Sequence, residues 1–227
     1  MSIPALIKYL WITPRGDMPI MGTVYIFVLT LVIALPLGVI VALLRLSKVK
    51  VISYIVQFII SVLRGTPLML QLLIVTYGPS IIARQFFNYT LSMPEKLIPV
   101  VIAFSINYAA YFAEIYRGGI ESISKGQYEA AEVLGYSKAQ TFIKIILPQV
   151  IRRILPSVTN EIITLVKDTS IAFTVSYVEM FTEVKRVAIS SSTFTPFIVA
   201  GVFYYVFNLI VTVVMGRIEK SMSYYKI

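Results

Sequence analysis

Asn160, Thr164 and Lys167 recur at i, i+4 and i+7, a spacing that puts them on one face of a helix, and Glu161 and Asp168 run beside them. Upstream, Arg64 opens the run Arg64-Gly65-Thr66-Pro67, and Asn107, Tyr111 and Glu114 repeat the same helical spacing. Both signs of charge beside amides and hydroxyls suit a zwitterion, because a cation receives its carboxylate while acids or carbonyls receive its ammonium. Arg64, next to backbone that a glycine loosens and a proline deprives of a donor, suits the carboxylate. Glu161 and Asp168 suit the ammonium, or equally a cationic side chain. The alternative is mutual pairing, for instance Lys167 with Glu161 or Asp168. Gln71 and Asn107 fit either solute contact or hydrogen bonds between helices.

A second constellation is Gly126-Gln127-Tyr128-Glu129-Ala130-Ala131-Glu132-Val133-Leu134-Gly135, in a loop that also holds Arg117, Lys125, Lys138 and Lys144. Two glycines bracket about two turns of good helix former, with acids toward the positive end of the helix. Tyr128, Ala131 and Leu134 fall on one face, and Ala130 and Ala131 let another surface come close. A helix this short is not stable alone. It reads either as a linker between two longer segments or as a docking element for a partner.

Much chemistry is excluded. The 227 residues contain no cysteine and no histidine, which removes thiol catalysis, disulfides, imidazole bases and the common zinc sites. No Gly-x-x-x-x-Gly-Lys-Ser/Thr phosphate loop is present, so ATP is not bound that way, and ions or a partner must supply any driving force. The formal charge is +9, but the basic residues are not interleaved with aromatics as nucleic-acid binding would ask, and cytoplasmic anchoring explains them.

These side chains need a membrane-spanning frame. Hydrophobic residues make up 58% of the chain and charged residues 14%, with a mean hydropathy of +0.84. That is far beyond the apolar share of a soluble domain, so one all-α membrane domain is expected to fill residues 1–227. Ile3 to Ile12, with Lys8 and Trp11, is too short to span and breaks at Pro14-Arg15-Gly16, so residues 1–19 read as an interfacial segment without a cleavable signal peptide. Ile20 to Leu44 is the first span, its 25 residues making roughly 37 Å of helix. Val51 to Ala83 is a second, bent or unwound at Arg64 to Pro67, interrupted again at Gly78-Pro79 and followed by a loop from Asn88 to Pro94. Leu97 to Ile115 is the third. Ser137-Lys138-Ala139-Gln140 spells a capping box that starts a fourth, kinked by Pro148 and Pro156. Arg152, Arg153, Asn160, Glu161 and Lys167 to Ser170 break its hydropathy so far that a window scan passes over it. Val175 to Thr195 is a polar connection, and Phe197 to Met215 is the fifth span.

Orientation follows from the cations. The loop after the first span, the Glu129 loop and the carboxyl tail, taken with Arg152 and Arg153, hold 12 of the 20 Lys and Arg, against 6 on the opposite side. The positive-inside rule makes the richer side cytoplasmic, with the amino terminus outside and the carboxyl terminus inside.

Glu129-Ala130-Ala131, Leu134-Gly135, Phe142, Ile145, Leu147-Pro148, Leu155-Pro156, Asn160 and Lys167-Asp168-Thr169-Ser170 together resemble the EAA loop and following helix of ABC importer permeases. The likeness is closest to the polar amino acid permeases of histidine, arginine and glutamine uptake systems. Arg64-Gly65-Thr66-Pro67 and the run from Ala113-Glu114 through Arg117-Gly118-Gly119-Ile120 to Gly126-Gln127 also look like that family, while Ile171 stands where it often has leucine. The resemblance implies about five transmembrane helices of the type I importer permease kind, in the bacterial plasma (inner) membrane. It implies a second permease subunit, identical or a close paralogue, two copies of a cytoplasmic ABC ATPase and an extracytoplasmic solute-binding protein. No cofactor is implied on this chain, ATP and Mg residing on the ATPase. Gly126, Tyr128, Glu129, Ala130, Ala131, Leu134 and Gly135 would form the coupling helix. Arg64, Thr66, Gln71, Asn107, Glu114, Asn160, Glu161, Lys167, Asp168 and Ser170 would line the path of a polar amino acid, either basic (arginine, lysine, histidine) or glutamine. A self-sufficient ion-coupled transporter or channel would explain the buried acids but gives the docking-shaped loop no role. A membrane-embedded hydrolase would have to rely on Ser170 with Lys167.

Overall fold

The computed structural model describes residues 3–89 and 95–222; residues 90–94 of the loop expected after Asn88, and Lys226 of the carboxyl tail, lie outside them. Every regular element among the described residues is helical. The first helix, α1 (Ile3–Trp11), buries Leu6 and Leu10 against Met180, Val184 and Ala200 and exposes Ile3, Ile7 and Trp11. α2 (Pro19–Arg45) begins on a proline, whose missing N–H is not needed in a first turn, and continues past Pro36.

α3 (Lys50–Gly65) and α4 (Leu68–Phe87) meet at 106°, and the break falls on the glycine and proline of the Arg64 run. Gly78-Pro79 does not interrupt α4, contrary to the sequence expectation. The helix continues to Phe87 and stops where Asn88 turns left-handed at φ 51°. α5 (Leu97–Glu121) runs past its expected end at Ile115 and so carries Arg117 on the helix and not in a loop.

α6 (Lys125–Val133) is followed by the short α7 (Lys138–Gln140), which carries the capping box in full: Ser137 Oγ accepts from the Gln140 N–H at 3.3 Å and Gln140 Oε1 from the Ser137 N–H at 2.9 Å. The chain then widens into a π-helical turn, Thr141–Ile146, and enters α8 (Leu147–Asp168). The kink expected at Pro148 takes the form of that turn, where the ladder is already shifted ahead of a residue with no N–H to give. Pro156 lies within α8 without ending it. A 3-10 turn, Thr169–Val175, leads to α9 (Met180–Ser191) and then α10 (Thr195–Met222).

Among the described residues α2, α5 and α10 are each long and apolar enough to cross a membrane, and the bent α3–α4 pair passes the same measure together. α8 does not pass, the outcome its charges predict. α5 is the central helix, with α2 packed along it, and around them Ile26, Leu72, Phe104, Phe112 and Leu165 are fully buried.

The connection from α8 to α10 is pinned by Glu179. Its carboxylate caps α9, accepting from the Phe181 and Thr182 N–H groups at 2.7 and 2.6 Å, from the Thr182 hydroxyl at 2.8 Å and from the Tyr204 hydroxyl at 3.1 Å. The side chain is completely buried, and burial pushes its pKa up to about 7 against the lowering effect of those hydrogen bonds. The folded protein therefore binds this proton more tightly than the unfolded chain does. The associated stability is full below the ordinary carboxyl value and is lost as pH rises through about 7. In detergent, thermal unfolding is expected to move upward on acidification from about pH 7.5 to about pH 5, by a contribution on the order of 3 kcal/mol. Glu179→Gln keeps an acceptor oxygen and should remove that contribution; a Tm profile against pH that the substitution leaves unaltered would refute it.

Candidate translocation path and coupling site

At the break between α3 and α4, polar side chains take up backbone groups that the bend sets free. Gln71 Nε2 donates to the Leu63 carbonyl at 2.8 Å, the Thr66 hydroxyl at 2.8 Å and the Thr66 carbonyl at 3.2 Å. The Thr66 hydroxyl donates onward to the Val62 carbonyl at 2.8 Å. From α5, Asn107 Nδ2 donates to the Leu63 carbonyl at 3.2 Å and to Gln71 Oε1 at 3.0 Å. Of the two uses open to Gln71 and Asn107, hydrogen bonding between helices is the one the structure displays. Arg64 is placed differently. Its guanidinium lies 5.1 Å from the centre of the Tyr111 ring and 4.0 Å from Glu114 Oε2, with the side chain 43% exposed.

Glu114 belongs mainly to Arg117, one turn along α5. Arg117 Nε lies 3.2 Å from both carboxylate oxygens and Nη2 lies 2.7 Å from Oε2, while Nη1 reaches Glu121 at 2.5 Å. Beside them a recess of about 260 Å³ is lined by Glu114, Gly118, Gly119, Ser122, Arg153 and Ser157.

On α8 the expected polar face forms. Asn160 and Lys167 are exposed and Glu161, Thr164 and Asp168 half-buried, while Val158, Ile162, Leu165 and Val166 turn into the core. Ser170, in the following 3-10 turn, donates to the Lys167 carbonyl at 2.8 Å. The pairing of Lys167 with Glu161 or Asp168 is not realised: the ion pairs within 4.0 Å among the described residues are those of Arg64, Arg117 and Arg186. Asp168 instead accepts from the Tyr108 hydroxyl at 2.7 Å, a bond from α5 to the end of α8. Sequence reading gives Tyr108 no role and places Arg117 in a loop, without its part as the partner of Glu114. The one available signal for Tyr108 was a hydroxyl in an apolar run, which needs a partner when buried.

The short helix α6 stands apart from this path. It packs on the π-helical turn, and Ala131 alone among its residues is buried. The close approach that Ala131 permits is therefore taken up within the chain and not kept for an outside surface. Val133 and Leu134 are 88% and 73% exposed, and Tyr128 and Glu129 are exposed as well. The helix ends in a Schellman turn: the Tyr136 N–H donates to the Ala131 carbonyl at 3.0 Å and the Gly135 N–H to the Glu132 carbonyl at 2.9 Å, with Gly135 at φ +77°. That left-handed backbone favours glycine, with asparagine the next best tolerated. At Gly126 and Gly135 alike a Cβ would stand in open space, and only Gly135 has the left-handed φ.

Known proteins resemble this chain in sequence and in fold. The chain is 35% identical over 203 residues to the arginine transport system permease protein ArtQ of Bacillus subtilis, covering 88% of this chain and 89% of that one. It is 36% identical to the nopaline transport system permease protein NocM of Agrobacterium fabrum, over 84% and 78% of the two chains. A putative glutamine transport system permease protein GlnP of Rickettsia bellii is 34% identical over 86% and 87%. The fold superposes on the crystal structure of an amino acid ABC transporter with histidines at a TM-score of 0.81, with 28% identity over 97% of this chain and 99% of that one. The inward-facing MetNI methionine ABC transporter, at 18% identity and a TM-score of 0.65, shares the fold. Residues 34–224 match the family described as binding-protein-dependent transport system inner membrane component, and the chain belongs to that family: it is an inner-membrane transport component and not an enzyme.

Proposed function

We propose that the chain is the permease subunit of an ATP-driven ABC importer for polar amino acids, with basic amino acids favoured and glutamine the neighbouring choice. The observation that carries this reading is α6, a helix fixed at its end by Gly135 yet presenting Val133, Leu134, Tyr128 and Glu129 to solvent. An exposed apolar rim on a rigid short helix needs a partner, and a chain with no phosphate loop needs one that supplies energy. Two cytoplasmic ATPases would receive two such helices from a pair of permeases, and a binding protein would deliver solute to the opposite face. Closure of the ATPases would push α6, and the π-helical turn on which α6 packs would pass the movement to α8.

In this reading α8 is the fourth span and α10 the fifth, the amino end of α8 and α6 lie on the cytoplasmic side, and the amino terminus lies outside. Arg64 receives the solute carboxylate, Glu161 and Asp168 receive the ammonium or a cationic side chain, and Asn160, Lys167 and Ser170 line the remainder. Glu114 borders the same path, and Thr66, Gln71 and Asn107 hold the break that exposes Arg64. The names of the relatives, covering arginine, nopaline and glutamine, agree with a solute that carries a carboxylate and an ammonium. A self-sufficient ion-coupled transporter leaves the exposed α6 without a role.

Reconstitution in proteoliposomes tests the reading. Uptake of labelled arginine is expected only with the ATPase, ATP and the binding protein present, and unlabelled lysine and histidine should compete better than glutamine. Gradient-driven uptake by this chain alone would sink the proposal, and stronger competition by glutamine would move the substrate class.

A further inference from the structure

We propose that Arg117 is a positioning residue that keeps Arg64 available for a solute carboxylate by holding Glu114 in a two-pronged ion pair on α5. The inference rests on the reading of Arg64 as the carboxylate receiver. It begins from a shared acid: Glu114 lies within 4.0 Å of two guanidiniums that come from different helices, while Glu121 pairs with Arg117 alone and Glu161 acts on Arg64 only through space.

Arg117 has the better claim on it. Its Nε and Nη2 both face the carboxylate, the planar fork matched to two oxygens that makes arginine pairs strong and directional. Glu121, one turn further on, holds the third nitrogen and fixes the fork's direction. All three side chains stand on α5 at i, i+3 and i+7, so the arrangement travels with one rigid helix. Arg64 comes from the end of α3 and is left at 4.0 Å from the same Oε2, over the face of Tyr111. No hydrogen bond closes on its fork among the described residues.

Removing Arg117 changes this balance. Glu114 is 19% exposed and would remain charged beside a cation, Arg64, that needs to close by only roughly 1.2 Å to reach charge-assisted hydrogen-bond distance. Arg45 also acts on Glu114 through space, but it forms no ion pair with it within 4.0 Å and is engaged with the Ser53 hydroxyl at 2.7 Å. Glu114 would then turn to Arg64, fill its fork and compete with the solute carboxylate for the same two donors. Lysine at position 117 supplies the charge without the fork and should give a smaller effect of the same sign.

The test uses the permease assembled with its ATPase and binding protein in proteoliposomes. Phenylglyoxal, an arginine-selective reagent, reads the availability of Arg64, with adducts located by peptide mass spectrometry. Arg64 should label readily in the wild type, roughly tenfold more slowly in Arg117→Gln, and readily again in the double variant Glu114→Gln/Arg117→Gln. The KM for arginine uptake should rise by a similar factor in Arg117→Gln. Equal labelling of Arg64 in the wild type and Arg117→Gln would overturn the proposal, and so would protection that persists in the double variant, which marks a structural collapse at Arg64. If Arg117→Gln does not assemble, Arg117→Lys carries the same comparison. The expected labelling pattern with an unchanged KM would leave the exchange of partners standing and refute the carboxylate role of Arg64.

Discussion

Gly135→Pro is expected to abolish ATP hydrolysis coupled to transport while leaving the binding protein's affinity for solute untouched. The backbone at Gly135 sits at φ +77°, and proline is confined near −65°, so the substitution cannot be absorbed by local adjustment. It also removes the N–H that donates to the Glu132 carbonyl, and turning the chain the other way breaks the bond from Tyr136 to the Ala131 carbonyl. Both hydrogen bonds that fix the end of α6 are lost together, and Val133 and Leu134, the most exposed apolar side chains of the element, lose their direction. α6 lies at the far end of the molecule's own contacts, with Ala131 as its single buried residue, so the membrane helices should still assemble. Gly135→Asn is the control, because asparagine tolerates the left-handed region and should retain most activity. ATPase activity of the reconstituted complex, with and without loaded binding protein, reads the outcome. Coupled hydrolysis that survives Gly135→Pro would remove α6 from the transmission of force.

The sequence was legible wherever a local rule decides the structure. The long apolar runs mark α2 and α10, and Gly65-Thr66-Pro67 marks the bend between α3 and α4. Ser137 with Gln140 started a helix as the capping box requires, and Gly135 ended one. α8 was legible from the spacing of its polar residues although its hydropathy hides it. Where tertiary contacts decide, the local reading failed. Gly78-Pro79 reads as a break, yet α4 runs through it. Charge ends the apolar window before Arg117 and points to a loop, whereas α5 simply continues and makes Arg117 the partner of Glu114. Tyr108 and Asp168 are far apart in the chain and meet through the packing of α5 against the end of α8, which no periodicity records. Ala131 invites the close approach of another surface in the sequence alone, and packing decides that the surface belongs to the chain itself.

Gly22→Val should prevent the permease from folding, a larger effect than its place in the first turns of a long apolar helix suggests. A Cβ built on Gly22 would overlap the Val178 carbonyl oxygen and lie 3.2 Å from the Val178 carbonyl carbon and 3.3 Å from Glu179 Cα. These are backbone atoms, and they are held. The Met180 N–H donates to the Thr23 hydroxyl at 3.0 Å, and Glu179 is locked by its cap on α9 and by Tyr204. The strain cannot be relieved by rotating a side chain, so the cost is expected at or above the upper end for overpacking, about 3 kcal/mol. Gly119 is the contrasting case. Its added Cβ would meet Ile154 Cγ2, the end of a side chain that can take another rotamer, so Gly119→Ala should be far milder. Gel-filtration profiles of solubilised protein and Tm in detergent compare the two. Gly22→Val protein that accumulates as a monodisperse species with wild-type Tm would mean that α2 and α9 are not in backbone contact. Glu179, whose burial depends on that contact, would then lose its raised pKa, and the expected gain in stability on acidification would vanish with it.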